Sequence, residues 1–245
     1  MKFLSAEKFL TPPKAIIFDT DNTLYEYEPA HLSAMNAVLR KAVNILGCSR
    51  GEFESSYNEA RKEIKNRLGA VASSHSRLLY FQLTIEKLTG KSNLFATLDL
   101  EQTYWRVFLD SVVLFSGVKE FIVQVHQQGV KVAVVTDLTA QIQFRKLIFF
   151  GLDDYFDAMV TSEEAGADKP HYSPFKIALD KLKVSPDLTW MIGDSYNADM
   201  VGAKPLNLTT LQKIHAGVSM GDCLSQDATF SEFDELLKFT KKLFK

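Results

Sequence analysis

Four stretches of the sequence bring together residue types that can do chemistry: Phe18-Asp19-Thr20-Asp21-Asn22-Thr23, Val135-Thr136-Asp137, Asp168-Lys169-Pro170 and Gly193-Asp194-Ser195-Tyr196-Asn197-Ala198-Asp199. Carboxylates can bind a hard cation, attack an electrophile or carry a proton, while lysine and threonine can hold an anionic group. Any one of these stretches, taken alone, also reads as a turn or a helix cap, because Asp, Asn and Thr favour both. Three of them, however, directly follow or end short apolar runs. In open α/β sheets ligands sit beyond the carboxyl ends of the strands, so such positions are where a site is expected. Side chains alternate along a strand, which lets Asp19 and Asp21 point toward one common place.

The elements that must position these residues are legible from the apolar pattern. Pro12-Pro13 stops any preceding helix, and Ala15-Ile16-Ile17-Phe18 reads as a buried strand. Similar runs cover 132–135 and 189–192, with weaker ones at 158–160 and 210–211. Helical segments alternate with them: Val118, Phe121, Ile122 and Val125 share one face, and Phe233, Leu236, Leu237 and Leu243 repeat a similar face. This alternation predicts α/β, a doubly wound parallel sheet with helices on both sides. Between about Glu28 and Val112 no β-branched run occurs, and four helices are expected at 31–46, 52–68, 76–88 and 99–109, with Gly47, Gly69 and Gly90 as terminators. The expected division is a sheet domain of 1–27 and 113–245 interrupted by a helical domain of 28–112.

DxDxT after the first strand, Thr after the second, Lys before Pro and GDxxxxD after a later strand occur here in the order of the haloacid dehalogenase (HAD) superfamily. The chain resembles its phosphatase branch with a helical, C1-type cap, placed just after the first motif. The resemblance implies a Rossmann-like core and a phosphoric monoester hydrolase in which Asp19 accepts the phosphoryl group as an aspartyl-phosphate. Asp21 is then the general acid and base, and Thr136 and Lys169 bind the phosphate. Mg²⁺ is held by Asp19 and Asp194 with the backbone carbonyl of Asp21, and Asp199 supports that shell. The charges agree with such a site: an anionic nucleophile approaching an anionic ester is opposed by about 4 kcal/mol at ~4 Å with an effective dielectric of ~20, so cations must sit beside it. Dehalogenases of the superfamily typically lack the second Asp, so Asp21 favours phosphoryl chemistry over halide displacement. A sugar-phosphate mutase, a dehalogenase and a phospho-acceptor signalling module are the alternatives. Asp137 stands where Asn is common, and Gly202-Ala203-Lys204-Pro205-Leu206-Asn207 lacks the usual glycine-bearing turn; Pro205 is expected to end a helix there.

Specificity is expected in the cap, with Tyr25, Tyr27, His31, His75 and Arg77 as candidates. For Arg77 a solvated helix start is the plainer reading, and for His75 a place beside the helix cap. The apolar segments at 109–115 and 147–150 read as core rather than interface. The 245 residues are 46% hydrophobic and 24% charged, the balance of a soluble globular chain. Lys plus Arg number 28 against 30 Asp plus Glu, a net charge of −2, too little basic excess for nucleic acid. Lysines at the C-terminus complement a helix end instead. Cys48 and Cys223 are far apart and form no zinc or disulfide pattern, which suits a reducing cytoplasm. No signal peptide or membrane span is evident, and glycine-rich nucleotide motifs are absent. The expected partner is a small phosphorylated metabolite, with Mg²⁺ as cofactor.

Overall fold

The computed structural model describes residues 1–218, 221 and 224–245, so Cys223 lies outside the described residues. Two compact units are present: Met1–Glu26 with Leu114–Lys245, and Tyr27–Val113.

The first unit is built on seven strands: β1 (Lys2–Phe3), β2 (Ala15–Phe18), β3 (Lys131–Thr136), β4 (Ala158–Thr161), β5 (Thr189–Gly193), β6 (Thr209–Lys213) and β7 (Ala228–Phe230). They lie in the order β1-β7-β6-β5-β2-β3-β4. Every pairing is parallel except that of β1 with β7, so the sheet is mostly parallel and not wholly so. β2 and β5 are buried along their whole length, as expected for strands covered on both faces. The register positions the site. Phe18 stands opposite Val134 of β3 and Ile192 of β5, so Asp19, Thr136 and Asp194 emerge along one edge of the sheet.

Between β2 and β3 the chain runs through the second unit, made of α1 (Tyr27–Leu46), α2 (Arg50–Leu68), α3 (Arg77–Thr89) and α4 (Leu94–Ser111). Back in the first unit follow α5 (Val118–Gln127), α6 (Ala140–Phe149), α7 (Ser162–Ala165), α8 (Tyr172–Leu182), α9 (Val201–Ala203) and α10 (Phe233–Leu243). Alternation sends Ile17, Ala133, Val135 and Met191 to one side of the sheet, where they pack with Phe175 and Leu179 of α8. Phe18 points to the other side, its ring 6.1 Å from Phe121 of α5, which in turn lies 5.8 Å from Phe233 of α10. Each such fully buried side chain contributes about 1.5–3 kcal/mol.

In the helical unit α1 packs on α4 and α2 on α3. Ser49 and Glu52 form a capping box at the start of α2, and Gly69 and Gly90 end α2 and α3 with positive φ. Three helices begin earlier than the apolar pattern indicated, α2 by two residues, at Arg50 behind its Ser49 cap. α4 starts at Leu94 because Asn93 accepts from the Ala96 amide, and α1 starts at Tyr27 because Pro29 is tolerated in a first turn. The segment after Asp199 passes through α9 and then a 3₁₀ turn, Lys204–Leu206, that contains Pro205. Of the apolar segments expected in the core, Val112 and Leu147 are buried, whereas Val113, Ile148 and Phe149 are exposed. Among the described residues no helix is long and apolar enough to cross a membrane.

Candidate active site

Asp19 follows the last residue of central strand β2, and its amide donates to the Ile192 carbonyl of β5 at 2.9 Å, prolonging the ladder by one bond. Its carboxylate is held from two sides. Lys169 Nζ lies 2.7 Å from Asp19 Oδ1, and the Thr23 hydroxyl donates to Oδ2 at 3.0 Å. The same ammonium reaches Asp199 Oδ1 at 2.6 Å and the Val135 carbonyl at 3.2 Å. Asp199 Oδ2 accepts from the Ser195 amide at 3.0 Å. Gly193 makes this closeness possible: a Cβ there would stand 2.2 Å from Asp199 Oδ2, so any side chain would push the carboxylate aside.

Asp194 completes the cluster. One carboxylate oxygen each from Asp19, Asp194 and Asp199 lies within 4.8 Å of the others. Burial, then the charges of Asp19 and Asp199, pushes Asp194 up to about 8. Burial and the Asp19 charge, against the pull of Lys169, push Asp199 up to about 7. Burial alone would pull Lys169 down, yet Asp19, Asp199 and Asp137 outweigh it and hold the ammonium well above the ordinary lysine value. One lysine therefore leaves this group of carboxylates short of positive charge. An all-oxygen donor set of that kind fits a hard divalent cation such as Mg²⁺. Asp199, with both oxygens engaged by Lys169 and Ser195, fits better as support for the lysine than as a ligand.

Thr136 ends β3 beside these groups. Its hydroxyl is 2.8 Å from that of Thr20 and accepts from Gln143 Nε2 of α6 at 2.8 Å. Asp137, at the position noted as unusual in the sequence, accepts from the Lys169 amide at 2.9 Å and so ties two of the motifs together. Asp21 is turned differently: its Oδ1 accepts from Lys146 Nζ of α6 at 2.8 Å and from the Tyr25 hydroxyl.

The chemistry these contacts allow is that of a known family. The model of the haloacid dehalogenase-like hydrolases matches residues 16–212. The chain belongs to that family. It is a phosphatase of the HAD type, with a helical cap inserted between strands. It is 36% identical to the ribulose-1,5-bisphosphate 5-phosphatase of Halopiger xanaduensis over 198 residues, 80% of this chain and 83% of the relative. It is 28% identical to the glyceraldehyde 3-phosphate phosphatase of Methanocaldococcus jannaschii over 237 residues, 95% of this chain and 99% of the relative. Among solved structures, the HAD phosphatase from Thermococcus onnurineus matches with a TM-score of 0.70 and 26% identity, covering 93% of this chain and 97% of that one.

In the cap of this HAD phosphatase the specificity candidates fall into a different setting. Arg77 is not a solvated helix start: its Nη1 donates to the His75 carbonyl at 2.9 Å, its Nη2 to the Tyr27 hydroxyl, and its Nε is buried with no hydrogen-bond partner among the described residues. The guanidinium lies over the rings of Tyr80, Tyr104 and Trp105 at 5.4, 5.2 and 6.0 Å. His31 Nδ1 meets the Tyr104 hydroxyl at 2.7 Å, and the Tyr27 and His31 rings stack. Burial, then Arg77 and Arg61, lowers His31 to about 4. Tyr25, by contrast, is buried in the sheet unit with its hydroxyl on Asp21.

Sequence reasoning passed over Lys146, Gln143 and Lys213. The first two lie on the buried side of α6 with Ile142 and Leu147, and two polar residues on an apolar helix face were a readable signal. Lys213 ends β6 with its ammonium 3.7 Å from the centroid of the Phe115 ring.

Proposed function

We propose that this protein hydrolyses small phosphorylated metabolites, phosphorylated sugars above all, through a phosphoryl group carried transiently by Asp19. The observation that carries this reading is the placement of Asp19 at the tip of β2, fixed by Lys169 and Thr23 and faced by Asp194. An Asp19 carboxylate oxygen attacks phosphorus, and the bond from phosphorus to the leaving oxygen breaks. Asp21 gives that oxygen a proton. Water then attacks the phosphorus of the aspartyl-phosphate, Asp21 takes the proton of that water, and phosphate leaves with the Asp19 carboxylate restored.

The chain's other groups supply charge and position. Lys169 stays protonated between Asp19 and Asp199 and offers its charge to a phosphoryl oxygen, while the Thr136 hydroxyl is oriented by Gln143 and Thr20 to donate to another. Mg²⁺, held by Asp19, Asp194 and the Asp21 carbonyl with Asp199 in support, would when bound neutralise the charge of the approaching phosphate. Of the specificity candidates Tyr25, Tyr27, His31, His75 and Arg77, the proposed ones are Tyr27, His31 and Arg77, which share one hydrogen-bonded cluster. The substrate class follows the two relatives, whose substrates, ribulose 1,5-bisphosphate and glyceraldehyde 3-phosphate, are both short phosphorylated sugars.

The test is a panel of phosphorylated sugars, trioses and nucleotides together with a 2-haloacid, assayed on chelator-treated protein with and without Mg²⁺. Phosphate release that needs Mg²⁺ and is fastest on sugar or triose phosphates is expected. Halide release alone, or isomerised sugar phosphate without phosphate release, would contradict the proposal.

A further inference from the structure

Lys146 is 1% exposed, on the inner side of α6, in a position that an aliphatic residue would fill at lower cost. Burying an ammonium forfeits several kcal/mol of hydration even when it is paired, and a well-packed apolar residue in its place is often neutral or stabilising. Stability therefore gives no reason for a lysine here, and its partner does. Lys146 Nζ donates to Asp21 Oδ1 at 2.8 Å, and the Tyr25 hydroxyl donates to the same oxygen. The ammonium also lies 5.6 Å from the centroid of the Tyr25 ring.

Tyr25 is itself firmly placed. It forms backbone bridges to Asp21 and to Leu114, it is buried, and its ring lies 5.3 Å from that of Phe150. Asn22, with φ of 61°, turns the chain between Asp21 and Tyr25 so that the two side chains can meet. One carboxylate oxygen of Asp21 is thus gripped by two donors from α6 and from the loop after β2, both on well-packed supports.

We infer that Lys146, with Tyr25, is a positioning residue that fixes the Asp21 carboxyl group for its two proton transfers. The inference rests on the reading of Asp21 as acid and base. A proton donor must stand within hydrogen-bond reach of the leaving oxygen in the first half of the reaction and of water in the second, and a loosely held carboxyl would spend little time in either place. The demand is greatest when the leaving group is a poor one.

The experiment compares 4-nitrophenyl phosphate, whose phenolate leaves without help, with glycerol phosphate, whose alkoxide needs a proton. The rate compared is that of leaving-group release in a single turnover, which isolates the first half-reaction from the dephosphorylation common to both esters. Asp21→Asn should lower this rate on glycerol phosphate by about 10²–10⁴ and on the aryl ester far less. Lys146→Met should lower that same rate on glycerol phosphate by roughly 10- to 100-fold with the half-saturating concentration within about twofold, and on the aryl ester by under about threefold, a graded loss of the same proton transfer. Lys146→Arg should restore part of it, and Lys146→Met combined with Asp21→Asn should be no slower than Asp21→Asn alone. Equal losses on both esters, or losses that multiply in the double variant, would make Lys146 a structural residue and overturn the inference. If Asp21→Asn itself slows both esters alike, the acid–base reading falls and the inference with it, a result distinguishable because it appears in the single Asp21 variant. Tyr25→Phe removes only a hydroxyl, and it carries the same comparison should Lys146→Met fail to fold.

Discussion

Lys169 in the sheet unit and Arg77 in the helical unit are cations surrounded in opposite ways. Lys169 in the sheet unit touches two carboxylates, at 2.7 and 2.6 Å. Arg77 in the helical unit has no carboxylate within ion-pair distance among the described residues; a phenol, a backbone carbonyl and three aromatic ring faces take that place. In the first setting opposite charges fix one another's positions, which suits groups that must stand still around a reacting atom. In the second, the positive charge is solvated by neutral groups and remains uncancelled. Its reach is visible in His31, which after burial is disfavoured from protonation chiefly by Arg77. A site of the first kind organises chemistry, and one of the second keeps a standing preference for anions.

Removing each cation should sharpen that contrast. Lys169→Met leaves Asp19 and Asp199 buried against each other, and in chelator-treated protein a loss of about 3–5 kcal/mol is expected, together with loss of phosphatase activity. Arg77→Met leaves phenols that can still bond to one another and to His31. Its expected cost is about 1 kcal/mol, since the lost hydrogen bonds are offset by a desolvation no longer incurred. Urea unfolding followed by circular dichroism measures both, and equal losses would erase the distinction between the two settings.

The smallest expected effect is a dependence on pH. An unfolded His31 takes up a proton near 6.5, whereas the folded one resists until about 4. Stability from this residue is therefore complete above 6.5 and declines as pH falls through that window. Because His31 is partly open to solvent, the size is on the order of 1 kcal/mol. His31→Gln should flatten this part of the curve of melting temperature against pH between 7 and 4, and Arg77→Met should make the decline smaller, its onset still near 6.5 and its lower end at higher pH. A His31→Gln curve parallel to that of the wild type would show that the histidine is not held neutral.

The strand-end residues were readable because each closes a short apolar run whose register is set locally. Asp19, Thr136 and Asp194 come together because Phe18, Val134 and Ile192 stand side by side. Lys146 stands out on its own helix face, but its pairing with Asp21 was not readable, since 125 positions separate the two and only the packing of α6 unites them. Arg77 misled for a related reason: its place at a helix start suggests solvent, but the residues that cover it, such as Tyr27 and Tyr104, come from other helices. β1 and β7 are too short, at two and three residues, to show any period, and they are strands only because they pair with each other and with β6.

The most direct measurement is chemical trapping of the phosphorylated enzyme. Protein mixed with substrate and Mg²⁺, quenched in acid within one turnover and reduced with borohydride, should carry homoserine in place of Asp19 when its peptides are read by mass spectrometry, and no such change at Asp21 or Asp194. Conversion at either of those residues, or at none while the Asp19→Asn variant still turns over substrate, would contradict a phosphoryl transfer through Asp19.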